Sequence, residues 1–204
     1  MTVLLATNNQ HKVGEIGTVL SDLEGLSIVT LSELEREVCQ PIEDGVTLEA
    51  NAWIKAKEIH DATGLPVIAD DTGLEVDVLD GAPGVYSARY AGEEATYDDN
   101  CNALLNALKG ELNRVARFRT VICYVDGLRT LFAEGEVEGA ITGEKIGEGG
   151  FGYDPIFRPN ESEKTFAEMS GKEKNRISHR GDALRRFHTM LASYVTDSSE
   201  IIDA

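Results

Sequence analysis

Short apolar runs alternate with longer segments of helical periodicity near the start of the chain, and this alternation limits the fold more than any other sequence feature. The runs "TVLLA" (2–6), "LSIVTL" (26–31) and "LPVIAD" (65–70) have the length and composition of strands. The segments 13–23 and 46–62, which lie between them, place their apolar residues along one side of a helix. Strands and helices that alternate in this way favour an α/β fold.

The middle of the chain is richer in strands. "LEVDVL" (74–79) alternates apolar and acidic residues, and "RFRTVICYV" (117–125) and "TLFAEGEVEGAIT" (130–142) predict two longer strands. The turn at Asp126 and Gly127 predicts that the two longer strands pair antiparallel. We therefore expect an α/β fold on a long mixed sheet, in two lobes with a cleft between them.

Two further helices are predicted, one from Cys101 to Leu108 and one that starts near Ser178. Neither an internal repeat nor a long linker divides the sequence. We therefore predict one domain over residues 1–195, followed by a polar tail at 196–204.

Charge and composition limit the partners. The chain has 204 residues, a hydrophobic content of 42% and a formal net charge of −17. The hydrophobic content is enough for a core, whereas the negative charge argues against general binding of nucleic acid, which needs a basic surface. A small polyanion would need a local cationic pocket or a metal ion.

The sequence also bears on the cellular compartment. No run is long enough to span a bilayer, and no basic segment precedes the first apolar run. The cysteines Cys39, Cys101 and Cys123 are scattered without a CxxC pair, which favours reduced thiols. We expect a cytoplasmic protein that does not bind membranes.

The segment "TNNQHK" (7–12) connects the first strand to the first helix. A strand-to-helix turn directs backbone N–H groups at the space above the helix start, which favours a phosphate group. Lys12 adds a cation on the first helical turn. The glycines of a Walker motif are absent, and an ordinary asparagine-rich turn stays an alternative at this point.

The segment "ADDTGL" (69–74) carries two adjacent acids after an apolar run. Mg²⁺ binds one or two carboxylates together with substrate phosphates, so Asp71 could hold the ion or accept a proton from a water molecule. Asp70 would point to the opposite face of a strand. Glu43, in a polar segment, is a second candidate ligand. Termination of a strand is the alternative explanation of the acid pair.

Two later segments could contact a nucleotide. In "GGFGYDPIF" (149–157), Phe151 and Tyr153 flank a glycine, which leaves room for a flat ring to stack. In "EKNRISHRGDAL" (173–184), cations gather before and at a helix start, where they oppose the helix dipole unless an anion compensates them. Packing of a loop onto the core and an ordinary basic surface are the respective alternatives.

In this order and spacing, the four segments resemble the inosine/xanthosine triphosphate pyrophosphatase family over about residues 2–192. The resemblance implies a two-lobed α/β fold that binds the nucleotide in its cleft, and a homodimer. It also implies Mg²⁺-dependent hydrolysis of ITP, dITP or XTP to the monophosphate and pyrophosphate. This reaction keeps non-standard purine nucleotides out of nucleic acids.

The resemblance also implies roles for particular residues. Asp71 would be the proton acceptor and, with Glu43, a metal ligand. Lys12 would hold the triphosphate, and Phe151 would stack on the purine. The residues implied to bind the substrate are Thr7, Asn8, Asn9, Gln10, His11, Lys12, Thr72, Phe151, Gly152, Tyr153, Asp154, Lys174, His179 and Arg180.

One segment departs from the pattern of many bacterial members. They read F-x-E-N-A before the second helix, whereas this chain reads "LEANA", with Ala50 in the place of the glutamate. Glu49 stands one residue earlier, and a shift of one residue turns a helical side chain by about 100°. Glu49 is therefore left out of the predicted site.

Two rival functions stay open at the level of sequence. One is a pyrophosphohydrolase that acts on another nucleotide, and the other is a non-catalytic sensor of purine nucleotides. A sensor would be expected to lack the catalytic acid or the phosphate-binding lysine, yet Asp71 and Lys12 are both present.

Overall fold

The computed structural model describes residues 1–21, 23, 25–35 and 38–202. The strands of this part of the chain are β1 (Thr2–Leu5), β2 (Ser27–Thr30), β3 (Val67–Val76), β4 (Pro83–Gly84), β5 (Val115–Val125), β6 (Thr130–Ile141) and β7 (Phe157–Pro159). The helices are α1 (Gln10–Leu20), α2 (Leu48–Thr63), α3 (Tyr97–Ala107), α4 (Gly171–Ile177) and α5 (His179–Ile202). The α/β class is therefore confirmed.

The described strands form one mixed sheet. Its order is β2-β1-β3-β5-β6-β7, and β4 pairs with β3 beside this path. β1 lies parallel to both β2 and β3, whereas β4 is antiparallel to β3 and β7 is antiparallel to β6. The predicted mixed sheet is thus confirmed.

The acid pair lies inside a strand. The two strands predicted at 65–70 and 74–79 are one strand, β3, and a short 3₁₀ turn, Asp77–Leu79, follows it. Asp70 and Asp71 are both buried in the middle of β3. Buried carboxylates need a compensating charge, and lysine ammonium groups lie within 4 Å of both. The explanation of the pair as a strand end is therefore wrong.

The turn predicted at Asp126 and Gly127 is confirmed. Asp126 Oδ1 accepts hydrogen bonds from the backbone N–H groups of Leu128 and Arg129, and Gly127 has a φ of +85°. An aspartate that accepts from the backbone two and three residues later is typical of such turns.

Helix α4 is absent from the sequence prediction, which placed this basic segment before a helix start. Ser170 and Glu173 form a capping box at its beginning, in which each side chain accepts from the backbone N–H group of the other residue. Ser178 ends α4, and α5 begins at the next residue, close to the predicted start. The short α4 escapes a periodicity analysis because it has only two turns.

The chain divides into two compact units, each with its own core. The first unit comprises Met1–Asp71, Val121–Gly135 and Gly181–Ala204, and the second comprises Thr72–Thr120 and Glu136–Arg180. The first core contains Leu5, Ile16, Ile68, Tyr124 and Phe187, among others. The second contains Leu74, Leu104, Phe118, Phe157 and Phe166, among others. The single domain over residues 1–195 stays a prediction.

The C-terminal part of the chain continues α5. Of the predicted tail at 196–204, the backbone as far as Ile202 is helical, and the remainder lies outside the described residues, as do the side chains of this segment. Within the described part of the chain, we find no helix with the length and apolar content needed to cross a bilayer.

Candidate active site

Two lysines of the first unit contact the carboxylates that the sequence analysis singled out there. Lys55 Nζ lies 3.0 Å from Glu43 Oε2 and 3.5 Å from Asp71 Oδ1. Lys12 Nζ lies 2.9 Å from Asp70 Oδ2. These five residues are called the acid–lysine cluster below. Three carboxylates and two ammonium groups give it a formal charge of −1.

Helix α2 positions the centre of this cluster. Asn51 and Lys55 are four residues apart, so they lie on the same face of the helix, and both are buried. Asn51 Oδ1 accepts a hydrogen bond from the backbone N–H of Gly45, two residues after Glu43. A Cβ at position 45 would lie 2.6 Å from Asn51 Oδ1, so glycine permits this close approach. The helix therefore also positions the segment that carries Glu43.

Burial and charge act in opposite directions on the central pair. Burial raises the pKa of Asp71 above its ordinary value, although Lys55, Lys12 and a hydrogen bond from Asn51 partly offset this effect. Burial lowers the pKa of Lys55, but the carboxylates of Asp71, Glu43 and Asp70 outweigh it, and the pKa is raised overall. Lys55 is therefore a permanent cation beside a carboxylate that binds protons more readily than usual.

The carboxylate oxygens of the cluster are hard donors of the kind that Mg²⁺ binds. Asp71 Oδ2 is buried and has no hydrogen-bond partner among the described residues, and Glu43 supplies a second, partly exposed carboxylate. Two carboxylates suit Mg²⁺ when substrate phosphates and water supply the other ligands. No group of three or more His, Cys, Asp or Glu side chains in the described ranges could hold a metal ion by itself.

The predicted phosphate-binding segment lies at the start of α1. Asn9 is the N-cap, and its Oδ1 accepts from the backbone N–H groups of His11, at 3.0 Å, and Lys12, at 3.4 Å. Thr7 Oγ1 accepts from the N–H of Asn9 at 3.1 Å. Two of the N–H groups that we expected to face a phosphate therefore already donate to Asn9. Asn8, Gln10 and His11 have exposed side chains.

The glycine-rich loop of the second unit is organised by Asp154. Its Oδ2 accepts from the backbone N–H of Phe151 at 2.8 Å and from Lys174 Nζ at 2.7 Å. Lys174 Nζ lies 4.5 Å from the centre of the Phe151 ring, and Arg180 Cζ lies 5.5 Å from it. These four residues are called the aromatic–cation cluster. It presents a half-buried ring with two cations beside it.

Tyr153 differs from its neighbour Phe151. Its ring is 4% exposed and belongs to the core of the second unit, and its hydroxyl donates to the carbonyl of Ser87 at 2.8 Å. The stacking platform predicted for both aromatic residues is therefore wrong for the Tyr153 ring. Gly152 lies between them with a φ of +62°, and its carbonyl accepts from the thiol of Cys101 at 3.3 Å.

Among the remaining predicted residues of the second unit, the structure brings Thr72 and Arg180 together. The His179 ring stacks on Phe118 with centres 4.5 Å apart and is buried. Arg180 is buried as well, and its Nη2 donates to Thr72 Oγ1 at 3.2 Å. The roles of these residues in substrate binding stay predictions.

Asn51 and Lys55 were not predicted as site residues from the sequence. They are two polar residues four positions apart on α2. They lie among Leu48, Ala52 and Ala56, on the side of the helix that the periodicity predicts to be buried, and this pattern could have identified them. A buried lysine needs a carboxylate partner, so this pair could have been matched to "ADDTGL". It was missed because the apolar residues alone were used to define the helix face.

Comparisons with known proteins agree with the resemblance of the four segments. A sequence model of the Ham1 family matches residues 3–190. The chain belongs to the Ham1 family. The dITP/XTP pyrophosphatase of Desulfotalea psychrophila is 49% identical over 183 residues, which are 89% of this chain and 81% of that protein. The dITP/XTP pyrophosphatase of Escherichia coli O157:H7 is 48% identical over 90% of this chain and 94% of its own length.

Solved structures extend the family assignment to the fold. The Ham1 protein of Staphylococcus aureus matches with a TM-score of 0.86 at 38% identity, over 95% of this chain and all of that chain. A protein from Mycobacterium abscessus described as a nucleoside-triphosphatase and dITP/XTP pyrophosphatase matches with a TM-score of 0.76 at 38% identity. That match covers 92% of this chain and 98% of the other. The fold of this chain is therefore that of Ham1 proteins.

Proposed function

We propose that this protein hydrolyses ITP, dITP and XTP to the nucleoside monophosphate and pyrophosphate. The observation that carries the proposal is the identity of 44–49% to relatives named dITP/XTP pyrophosphatase. The acid–lysine cluster adds chemical support, because hydrolysis of a triphosphate needs a proton acceptor and cations beside it.

In the proposed reaction, a water oxygen attacks the α-phosphorus while the bond from this phosphorus to the bridging oxygen of pyrophosphate breaks. Asp71 accepts the proton of the attacking water. Lys12 and Lys55, both in contact with carboxylates of the cluster, reduce the repulsion between those acids and the phosphates. Most of the catalytic effect of such a site comes from positioning and charge neutralisation.

We propose Mg²⁺ as the cofactor, held by Glu43 and Asp71. The buried Oδ2 of Asp71 and the hard oxygen donors of both side chains support this choice. When bound, the ion would supply positive charge to the phosphate oxygens.

We propose that the aromatic–cation cluster recognises the base. Phe151 offers a ring for stacking, and Arg180 and Lys174 next to it are hydrogen-bond donors without acceptor capacity. Hypoxanthine and xanthine carry a 6-oxo acceptor, whereas adenine carries a 6-amino donor that would leave such donors unpaired. A mismatch of this kind can reject a substrate by about 10⁴-fold.

The test is turnover of ITP, dITP and XTP against ATP and GTP, with and without Mg²⁺, with pyrophosphate and orthophosphate measured separately. We expect pyrophosphate from the first three substrates in the presence of Mg²⁺. Binding of ITP without turnover would favour the sensor, and equal use of ATP would favour a different pyrophosphohydrolase.

We also propose that the protein is a homodimer and is located in the cytoplasm. Sedimentation equilibrium tests the dimer.

A further inference from the structure

Two residues of helix α3 contact the glycine-rich loop that carries Phe151. The thiol of Cys101 donates to the carbonyl of Gly152 at 3.3 Å. Tyr97, the first residue of α3, pairs with Phe151 itself: the ring centres lie 6.2 Å apart, and the ring planes make an angle of 46°. This distance is within the range of about 4.5–7 Å over which aromatic pairs attract each other. The helix therefore contacts both the backbone of the loop and its aromatic ring.

A capping box holds the beginning of α3 in place. Thr96 Oγ1 accepts from the backbone N–H of Asp99 at 3.2 Å, and Asp99 Oδ2 accepts from the backbone N–H of Thr96 at 2.9 Å. Such a box satisfies two backbone donors that the first turn of a helix leaves without an intrahelical partner. Tyr97 follows Thr96 directly, so this turn determines the direction in which the tyrosine side chain leaves the helix.

The orientation of the Phe151 ring depends on the side chains around it. Asp154 Oδ2 accepts from the Phe151 N–H, but a hydrogen bond to the backbone does not set the torsion angles of the side chain. Lys174 Nζ and Arg180 Cζ lie 4.5 and 5.5 Å from the ring centre, and the Tyr97 ring is the aromatic group beside them. Tyr97 therefore adds an apolar contact where the other two neighbours are cations.

We propose that Tyr97 is a positioning residue for base recognition, which holds the Phe151 ring in the orientation that stacks on a purine. The inference rests on the proposed function, because it assumes that Phe151 stacks on the base. Tyr97 is 49% exposed, so its ring contributes little to the core of the second unit. A ring that is already held in its binding orientation loses less side-chain freedom when the base binds, and this raises the affinity.

The experiment compares Tyr97→Leu with Tyr97→Phe. Leucine removes the ring, whereas phenylalanine keeps the ring and removes only the hydroxyl. We expect Tyr97→Leu to raise KM for ITP about fivefold, the effect of one lost aromatic pair, while Tyr97→Phe stays within about twofold of the unmodified protein. The kcat of both variants should be unchanged, because binding of the base is the same in the ground state and the transition state.

Tyr86→Leu is the matched control for the loss of an exposed tyrosine. Tyr86 belongs to the same unit, is 57% exposed and has its ring 5.3 Å from Arg89 Cζ. Its replacement should leave KM for ITP unchanged. An increase in KM as large as that of Tyr97→Leu would overturn the inference.

A double-mutant cycle tests whether Tyr97 acts through Phe151. In a Phe151→Leu background the ring that Tyr97 positions is gone, so Tyr97→Leu should have no further effect on KM. Additive increases would overturn the inference, because Tyr97 would then contact the nucleotide by itself. An unchanged KM in Tyr97→Leu, or an equal increase in Tyr97→Phe, would also overturn it.

Inorganic tripolyphosphate separates recognition of the base from a general structural loss. It carries phosphates like those of the substrate but no base, so its Kd should be the same for Tyr97→Leu and the unmodified protein. An equal loss of affinity for tripolyphosphate and for ITP would overturn the inference.

Binding data also keep the inference separate from the proposed function. If the unmodified protein binds ITP but releases no pyrophosphate, the proposed function fails, and the same variants are compared by their Kd for ITP. A Kd raised in Tyr97→Leu and not in Tyr97→Phe would then still support the inference. If ITP does not bind at all, both fail.

Discussion

Each unit contains a buried lysine–aspartate pair, and the two pairs differ in how completely the aspartate is satisfied. Asp154 in the second unit accepts from Lys174 and from the backbone of Phe151 through the same oxygen. Asp71 in the first unit lies 3.5 Å from Lys55, and its Oδ2 is buried without a hydrogen-bond partner among the described residues. Two donors therefore hold Asp154 in its loop, whereas Asp71 Oδ2 has none among the described residues, which supports the proposed role of Asp71 as the proton acceptor.

The sharpest test of this difference replaces each aspartate by asparagine. Asp71→Asn should lower kcat for pyrophosphate release about a thousandfold, because the proton acceptor is removed. Its free energy of unfolding should change little, because Lys55 keeps its contact with the Glu43 carboxylate after the substitution. Pyrophosphate assays and chemical denaturation measure the two quantities.

Asp154→Asn should have the opposite effect, with a larger loss of stability than of kcat. The amide removes the negative charge that lies 2.7 Å from the buried Lys174 ammonium group, so we expect a loss of about 3 kcal/mol in the free energy of unfolding. If instead Asp71→Asn unfolded the protein and Asp154→Asn abolished turnover in a stable one, the assignment of the two roles would be reversed.

A second test replaces Lys55 and Lys174, the lysines that contact the two aspartates. Lys55→Met and Lys174→Met should each lower the free energy of unfolding by about 3 kcal/mol, because a buried carboxylate loses its partner. Millimolar Mg²⁺ should restore stability to Lys55→Met, since the ion can replace the ammonium group between Glu43 and Asp71. It should not rescue Lys174→Met, which keeps a single carboxylate. Equal rescue of both variants would argue against a metal site at the acid–lysine cluster.

Substrate affinity should depend on the aromatic ring of the second unit. Phe151→Leu should raise KM for ITP about tenfold, because stacking of a base on an aromatic side chain contributes about 1–3 kcal/mol. Stability should be unaffected, since this ring is half-buried. Tyr153→Phe is the matched control: it should leave KM unchanged and lower stability by about 1 kcal/mol through the lost hydrogen bond to Ser87. A larger KM effect in the control would show that the two rings have been assigned the wrong roles.

The smallest expected effect concerns the thiols, which report local opening of each unit. Burial raises the pKa of Cys101, in the second unit, to about 11 and that of Cys123, in the first, to about 12. At about pH 8, roughly one Cys101 thiol in a thousand is ionised, so both should react slowly with a thiol reagent, and the exposed Cys39 should react first. ITP should slow Cys101 further, because the thiol donates to the carbonyl of Gly152, which lies in the loop that we propose to bind the base. Equal protection of Cys123 would indicate a general stabilisation instead.

The sequence predicted most of the helices and strands, but it failed for β3 and for α4. The period of the apolar residues located β1, α1, α2, α3 and α5, because that pattern depends on local geometry. It split β3 in two, since an acid pair ordinarily ends a strand unless distant lysines neutralise it. It also missed α4, whose two turns are too short to show a period.

The same distinction holds for the proposed site. The chain pattern alone identified Asp71, Lys12, Phe151 and Arg180 as candidates, because their residue types occur in segments that resemble a known family. Lys55 belongs to none of these segments, and its partner Asp71 lies sixteen residues away in the chain.

The sequence by itself determined the α/β class, the resemblance and the residue types available for catalysis. Only the tertiary structure decided which carboxylates are buried beside lysines and which aromatic ring belongs to the core. The physical reason is that burial, pKa and hydrogen-bond satisfaction depend on groups that are distant in the chain and close in space. A local sequence pattern can identify a side chain with suitable chemistry, but the groups that surround this side chain in the fold determine its protonation and its contacts.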